Sequence, residues 1–335
     1  MTVRRAARGR GRRARRVAWL AALMLLSLPL SSADAQDVRR PFRIGVLNAA
    51  WAASHPTVEG LKAGLSALGF VDGRDVTFDI RFTEGKLDAL PRAAEALVKS
   101  GADLIFASQE AAARAAKDAT TSVPIVFTLV GDPVGAGLVS KLAQPGGNLT
   151  GVSSLQTELV AKRLQLLKTL SPAVRRIWLI YYGVDLSTTV MIRKALDAAP
   201  RMKLDVVPKG VLDVGQLKQA LREVRSGDAV LVPEGSNPEL VIPIIEQSLA
   251  SRFPAIFGTA LWVGYGGLVS YGPDYHAQGV QAAALVAKIL KGGRPGDLPI
   301  EGAERIDLAV NLKTADLFGL AVPRTILLRA DAFRR

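Results

Sequence analysis

The stretch Val126–Val139, VFTLVGDPVGAGLV, places three glycines (131, 135 and 137) directly after an apolar run. Loops of that make-up can wrap a phosphate with backbone N–H groups. The spacing here does not fit the phosphate templates. A Walker loop counted from Gly131 needs a glycine where Ala136 stands, and a dinucleotide loop counted from Gly135 needs one where Ser140 stands. What remains is Asp132, a carboxylate ahead of Pro133. It suits an ammonium or a hydroxyl-bearing ligand, or it caps a helix beginning near Val134. One residue can do both.

Other residues able to hold a ligand follow apolar runs in the same way. Asn48, Trp51, Ser54 and His55 come after the first run, and Ser108 and Gln109 after the third. A helix starting at Ser108-Gln109 would offer free N–H groups and a positive dipole end to a ligand carboxylate. Later come Tyr182 and Asp185, Glu234 and Ser236, Thr259 and Trp262. Aromatics are 6% of the chain, yet Trp51, Tyr182 and Trp262 all fall at these junctions, where they could sandwich an apolar or ring-bearing ligand or pack a rim. Trp178 sits mid-run and reads as core, and His276 as a helix N-terminal residue.

Catalytic constellations are not visible. There is no Gly-x-Ser-x-Gly elbow, and with no cysteine and two histidines there is no Cys-His pair, disulfide framework or zinc cluster. His55 lacks a partner with a clear role as a base. The expectation is a binding protein, not an enzyme, with no cofactor and no metal.

The elements that must position these residues alternate regularly. RIGVLN, VTFDIRF, ADLIFAS and PIVFTLV read as buried strands. Between them, VEGLKAGLSALGF repeats apolar residues at 58, 61, 65 and 68, one face of a helix that Ser54 could cap and Gly69 could stop. LDALPRAAEALVKSG, EAAARAAKDAT and GAGLVSKLAQ read as further helices. The turn-rich PGGNLTGVSS breaks the pattern, which then restarts from LQTELVAKRLQLLKTLS to PAIFGT. A second break, VGYGGLVSYGPDYHAQG, precedes the long helical VQAAALVAKILKGG and a strand–helix–strand tail. The expected fold is α/β: two Rossmann-like lobes with parallel sheets, residues 42–150 plus about 272–300 forming lobe 1 and 151–271 lobe 2. Residues 301–335 return to the lobes. Ligands of open parallel sheets bind beyond the carboxyl ends of the strands, so two such sheets joined by a hinge put several loops around one cleft.

Residues 1–35 have the order of a secretory signal peptide: an arginine-rich run, an apolar core of 14 residues (Val17–Leu30) and a small-residue site at Ala33 and Ala35 before Gln36. The core is short for a membrane span of ~20 residues. This segment holds eight arginines and one aspartate, so its removal lowers the net charge of +13 by seven, to +6. The remaining basic residues are scattered among acids and form no nucleic-acid patch. No cysteine follows to carry a lipid anchor, so a freely soluble, periplasmic protein is expected after cleavage near Ala35-Gln36.

Four blocks carry a family resemblance: GLSALGFVDGRDV, GDPVGAGLVSKLAQPGGNLTGVS, LVSYGPDY and AVNLKTADLFGLAVPRTILLRAD. Together they make the chain from Arg43 to Ala332 similar to the ABC transporter substrate-binding proteins of the tryptophan/tyrosine-binding (TrpX-like) group. The resemblance implies a periplasmic-binding-protein type I fold that closes like a hinge on a small organic ligand, with amino acid-like or aromatic compounds as the candidates. It implies partners too: a membrane permease with a separate ATPase, serving a monomer. By position it implies that Asn48–His55, Ser108–Gln109, Val130–Asp132, Tyr181–Asp185, Glu234–Ser236 and Tyr271 line the cleft. One departure stands at Ser108-Gln109, where members often carry Gly-Thr. A sensory binding protein is the alternative. A sugar-responsive repressor would need a DNA-binding head before residue 43, where the export signal stands.

Overall fold

A computed structural model describes residues 40–50, 54–182, 186–233 and 238–334. Among them two sheets form. The first contains β1 (Phe42–Asn48), β2 (Val76–Phe82), β3 (Leu104–Ser108), β4 (Ile125–Val130), β5 (Leu149–Ser153) and, far along the chain, β11 (Glu301–Gly302). Its order is β11-β5-β4-β3-β1-β2, with every pairing parallel. The second contains β6 (Arg176–Tyr182), β7 (Asp205–Val211), β8 (Asp228–Val232), β9 (Ala255–Phe257), β10 (Val269–Pro273), β12 (Ile306–Asn311) and β13 (Ala332–Arg334), in the order β13-β12-β10-β9-β8-β6-β7. Only β10 and β12 pair antiparallel. The α/β, mostly parallel architecture is the one the alternation dictates.

Period two along the strands decides which helices cover which face. On one face of the first sheet Ile44, Val46, Phe106, Val126 and Val152 pack against α1 (Pro56–Ala67) and α9 (Tyr275–Leu290). On the other, Leu47, Ile105, Ala107 and Phe127 meet α2 (Leu90–Lys99) and α3 (Glu110–Ala119). The second sheet is covered by α4 (Gln156–Leu170) and α5 (Leu186–Ala198) on one side, and by α6 (Val214–Glu223) and α7 (Pro238–Ser251) on the other. The short α8 (Leu261–Gly264) follows β9.

The chain passes between the sheets three times. It leaves β5 through Ser154 and Leu155 into α4, leaves β10 through Asp274 into α9, and leaves β11 through residues 303–305 into β12. The first two passages start at carboxyl ends of parallel strands, so both sheets turn those ends toward the junction. Leu155 takes a left-handed φ of 56°. The second and third passages are tied together, because Asp274 N donates to Arg305 O at 3.1 Å and the Arg305 guanidinium stands 3.5 Å from the Asp274 carboxylate.

The α1–α9 contact is held by small residues. A Cβ on Gly60 would overlap the His276 carbonyl oxygen, one on Gly279 would overlap the Thr57 carbonyl oxygen, and one on Gly64 would stand 2.6 Å from Ala283 Cβ. The starts of both helices are therefore locked together at the junction. The cap of α1 is not Ser54, which is exposed, but His55, whose side chain accepts from Thr57 N ahead of Pro56. Pro56 fixes the first helical position, and the residue just before it becomes the cap.

Candidate functional site

The strand pattern that builds the α1–α9 core ends in a polar layer. Continuing Ile44-Val46 and Leu104-Phe106 by two residues brings Asn48 and Ser108 to the same face, and Val126 leads to Thr128. These three sit in register, Asn48 beside Ser108 and Ser108 beside Thr128. All are buried. Thr57 of α1 completes the row: its Oγ1 lies 3.0 Å from Ser108 Oγ, which lies 3.3 Å from Thr128 Oγ1. His55 Nδ1 sits 2.8 Å from Thr57 Oγ1. Its ring stacks on Tyr275, the first residue of α9, at 5.9 Å. Burial pushes the His55 pKa down to about 4, so at neutral pH the layer holds an uncharged imidazole, hydroxyls and an amide. Asn48 Oδ1 accepts Ala50 N at 2.9 Å and so shapes the turn after β1.

The loop after β4 departs from the expected helix. Residues 133–137 form turns, and no helix follows before β5. Asp132 Oδ1 accepts Gly135 N at 2.8 Å and Asp132 O accepts Ala136 N at 2.8 Å, which is a cap without a helix behind it. Gly137 then takes φ +67° and ends the winding. Cations from α3 occupy the carbonyls a helix would have used: Arg114 donates to Ala136 O at 2.6 Å, and Lys117 to Gly137 O and Leu138 O at 2.8 and 3.0 Å. Tertiary hydrogen bonds outcompete a propensity already weakened by glycines 135 and 137.

This loop is also where the lobes touch. A Cβ on Gly131 would stand 2.9 Å from Gln156 Cβ of α4, and one on Gly135 would stand 3.2 Å from Val190 Cγ2 of α5. Gly131 makes room for the second lobe, and Gly135 first for the Asp132 carboxylate, whose Oδ2 would stand 2.5 Å from a Cβ there, with Val190 just beyond. Asp132 lies half-buried at that contact, and among the described residues no lysine or arginine pairs with it.

The remaining expected residues fall as follows. Gln109 sits at the N-terminus of α3 with φ 79° and ψ 155°, a region essentially reserved for glycine, at a cost of about 1–3 kcal/mol. Val130 is fully buried at the end of β4, within the same hydrophobic cluster as Phe127 and Ala136. Tyr182 is 43% exposed at the end of β6. Thr259 is buried, its Oγ1 3.5 Å from Leu261 N. Trp262, expected to flank a ligand ring or to pack a rim, is 6% exposed and packs in the second lobe's core with Trp178 and Phe257. Tyr271 is half-buried, and its carbonyl accepts Arg163 Nε at 2.7 Å. Trp51, Asp185, Glu234 and Ser236 lie outside the described residues.

Sequence reasoning missed Thr57, Thr128, Gln278 and Arg163. Arg163 carried a signal, because it occupies the apolar stripe of α4 with Val160, Leu164 and Leu167 and is fully buried there. The others are polar residues whose burial depends on what packs above them.

Comparison with known proteins follows the same lines. The family model described as "ABC transporter substrate binding protein" matches residues 50–334. The chain is 29% identical over 286 residues to a curated tyrosine-binding protein of Clostridioides difficile (strain R20291), covering 83% of this chain and 82% of that one. Among solved structures it is similar to a conserved domain protein from Vibrio cholerae, with a TM-score of 0.82 and 28% identity over 88% of this chain and 100% of that one. It is similar also to an ABC domain from Streptococcus pneumonia in complex with L-Trp, with a TM-score of 0.77 and 27% identity over 87% and 99% of the two chains.

Proposed function

The chain belongs to the ABC transporter substrate-binding protein family, and from that premise we propose that it is a periplasmic receptor for an aromatic amino acid or a close analogue. The family level is settled: the protein binds a solute, its fold is that of the type I periplasmic binding proteins, and the family consists of extracytoplasmic binders rather than enzymes. No helix among the described residues is long and apolar enough to cross a membrane. The reading adds that residues 1–35 are removed on export near Ala35-Gln36, that the protein works as a monomer, and that it delivers its ligand to a permease driven by a separate ATPase.

The observation that carries the ligand class is Asp132. One carboxylate oxygen caps a turn and the other has no cation partner among the described residues, at the point where the two lobes meet. A ligand ammonium supplies the missing charge. The ligand carboxylate then falls to the strand ends of lobe 1, near Ser108, Gln109 and the start of α3. Relatives that bind tyrosine and tryptophan support a ring between the lobes. Contact with both lobes favours the closed state, and that differential affinity is what drives closure.

Calorimetry with L-tyrosine and L-tryptophan tests this. A charged hydrogen bond contributes about 1.5–3 kcal/mol, so Asp132→Asn should weaken binding roughly 10- to 150-fold. Unchanged affinity in that variant sinks the assignment.

A further inference from the structure

The bulge that launches the Asp132 loop depends on a residue far away in the chain. Along the β4–β5 ladder Phe127 pairs with Gly151, but Val130 pairs with Ser153, so β4 holds one residue too many. Leu129 adopts a left-handed φ of 57°. A bulge of this kind turns a backbone N–H out of the ladder and re-aims the chain that follows. That N–H must find an acceptor, because orphaned buried amide groups are rare. It finds Gln278: Leu129 N donates to Gln278 Oε1 at 3.3 Å, across 149 positions of sequence.

Gln278 is well placed to hold it. It lies in the first turn of α9, immediately after the second passage between the lobes, and is 1% exposed. The backbone there is immobilised twice, by the Asp274 cap on Ala277 N and by the close approach of Gly279 to the Thr57 carbonyl. The amide nitrogen of Gln278 is buried without a partner among the described residues. A glutamine is a costly choice for such a place unless its oxygen is needed. The far side of the bulge is gripped from the first passage, where Ser154 N and Ser153 Oγ donate to Val130 O at 2.9 and 3.1 Å.

We propose that Gln278 is a positioning residue for ligand binding: its side-chain oxygen holds the Leu129 bulge and thereby aims Asp132 at the ligand ammonium. This rests on the reading of Asp132 given above. It deepens that reading by naming a residue that touches no ligand yet sets the direction of the one that does.

The test compares Gln278→Met, which keeps length and helix propensity but has no acceptor oxygen, with Gln278→Glu, which keeps one. Backbone amide exchange at Leu129 and calorimetry with L-tyrosine are measured on the full protein. Gln278→Met should exchange Leu129 at least tenfold faster and bind L-tyrosine about tenfold more weakly, while Gln278→Glu retains protection at Leu129. In an Asp132→Asn background Gln278→Met should have no further effect on affinity, an outcome that a merely structural role would not give. Wild-type exchange at Leu129 in Gln278→Met, or a full additive loss in the double variant, overturns the proposal. If Gln278→Met does not fold, deprotection of Leu129 in Gln278→Glu overturns it and retained protection supports it. A wild-type protein that ignores L-tyrosine defeats the ligand reading alone, and the exchange arm still decides whether Gln278 holds the bulge.

Discussion

Substituting Gly60 by alanine puts one methyl group into the tightest helix contact of the first lobe. The new Cβ would overlap the His276 carbonyl oxygen, with the carbonyl carbon 2.9 Å away and Val280 N 3.0 Å away. Relaxed carbon contacts lie at about 3.5–4.0 Å. These three nearest obstacles are all backbone of α9, so no side chain can swing aside to clear them, and the helices must part. Overpacking costs about 1–3 kcal/mol, and an immovable obstacle places this case near 3 kcal/mol. For the unit Pro41–Arg335, an unfolding entropy of about 0.6 kcal/mol/K converts 3 kcal/mol into a melting shift of about 5 °C. Differential scanning calorimetry reads it directly. Gly215→Ala supplies the contrast: it lies in α6, where a Cβ meets only the Asp213 carboxylate, at 3.0 Å. Helix propensity alone favours that change by up to about 1 kcal/mol. A Gly60→Ala protein melting within 1 °C of wild type, on the scale that resolves about 0.6 kcal/mol, refutes the idea that this contact is closed to a methyl group.

Three further outcomes follow from the polar layer and the second lobe. His55 has a folded pKa of about 4 against 6.5 unfolded, so the unfolded chain binds a proton that the folded one refuses. The stability it contributes is complete above pH 6.5 and falls by about 3 kcal/mol as pH drops through 4; His55→Gln should flatten denaturant midpoints across that window, and an unchanged slope contradicts the burial argument. Thr57→Val removes the hydroxyl that joins His55 to Ser108 and should cost about 1–3 kcal/mol in urea unfolding; no loss would mean that the row is already satisfied by water. Arg163→Met keeps the bulk but strands the Tyr271 carbonyl, with a comparable loss of about 1–3 kcal/mol read by the same urea titration; an unaltered midpoint would show that solvent reaches that carbonyl.

The alternation of strands and helices was readable because buried parallel strands are short continuous apolar runs, and the helices between them carry a 3.6-residue stripe. The expected helix after Asp132 failed for a reason local pattern does not contain: Arg114 and Lys117, some twenty residues upstream, take its carbonyls. Gly131 and Gly135 drew notice as a possible ligand loop, but their neighbours Gln156 and Val190 come from another lobe, so their role needed the tertiary structure. Asn48 and Ser108 were picked out as strand-end residues. Thr57 and Gln278 were not, because a polar residue on a helix is flagged only by what covers it. Arg163 broke the apolar stripe of α4 and was legible in principle.

The three passages between the lobes bear on how the chain comes into being. The first sheet waits for β11 at Glu301–Gly302, the glycine face of α1 waits for α9, and the second sheet waits for β12 and β13. A polypeptide emerging N-terminus first therefore lacks the closing strands of both sheets until about its last tenth, although the core between Trp178 and Trp262 needs none of them.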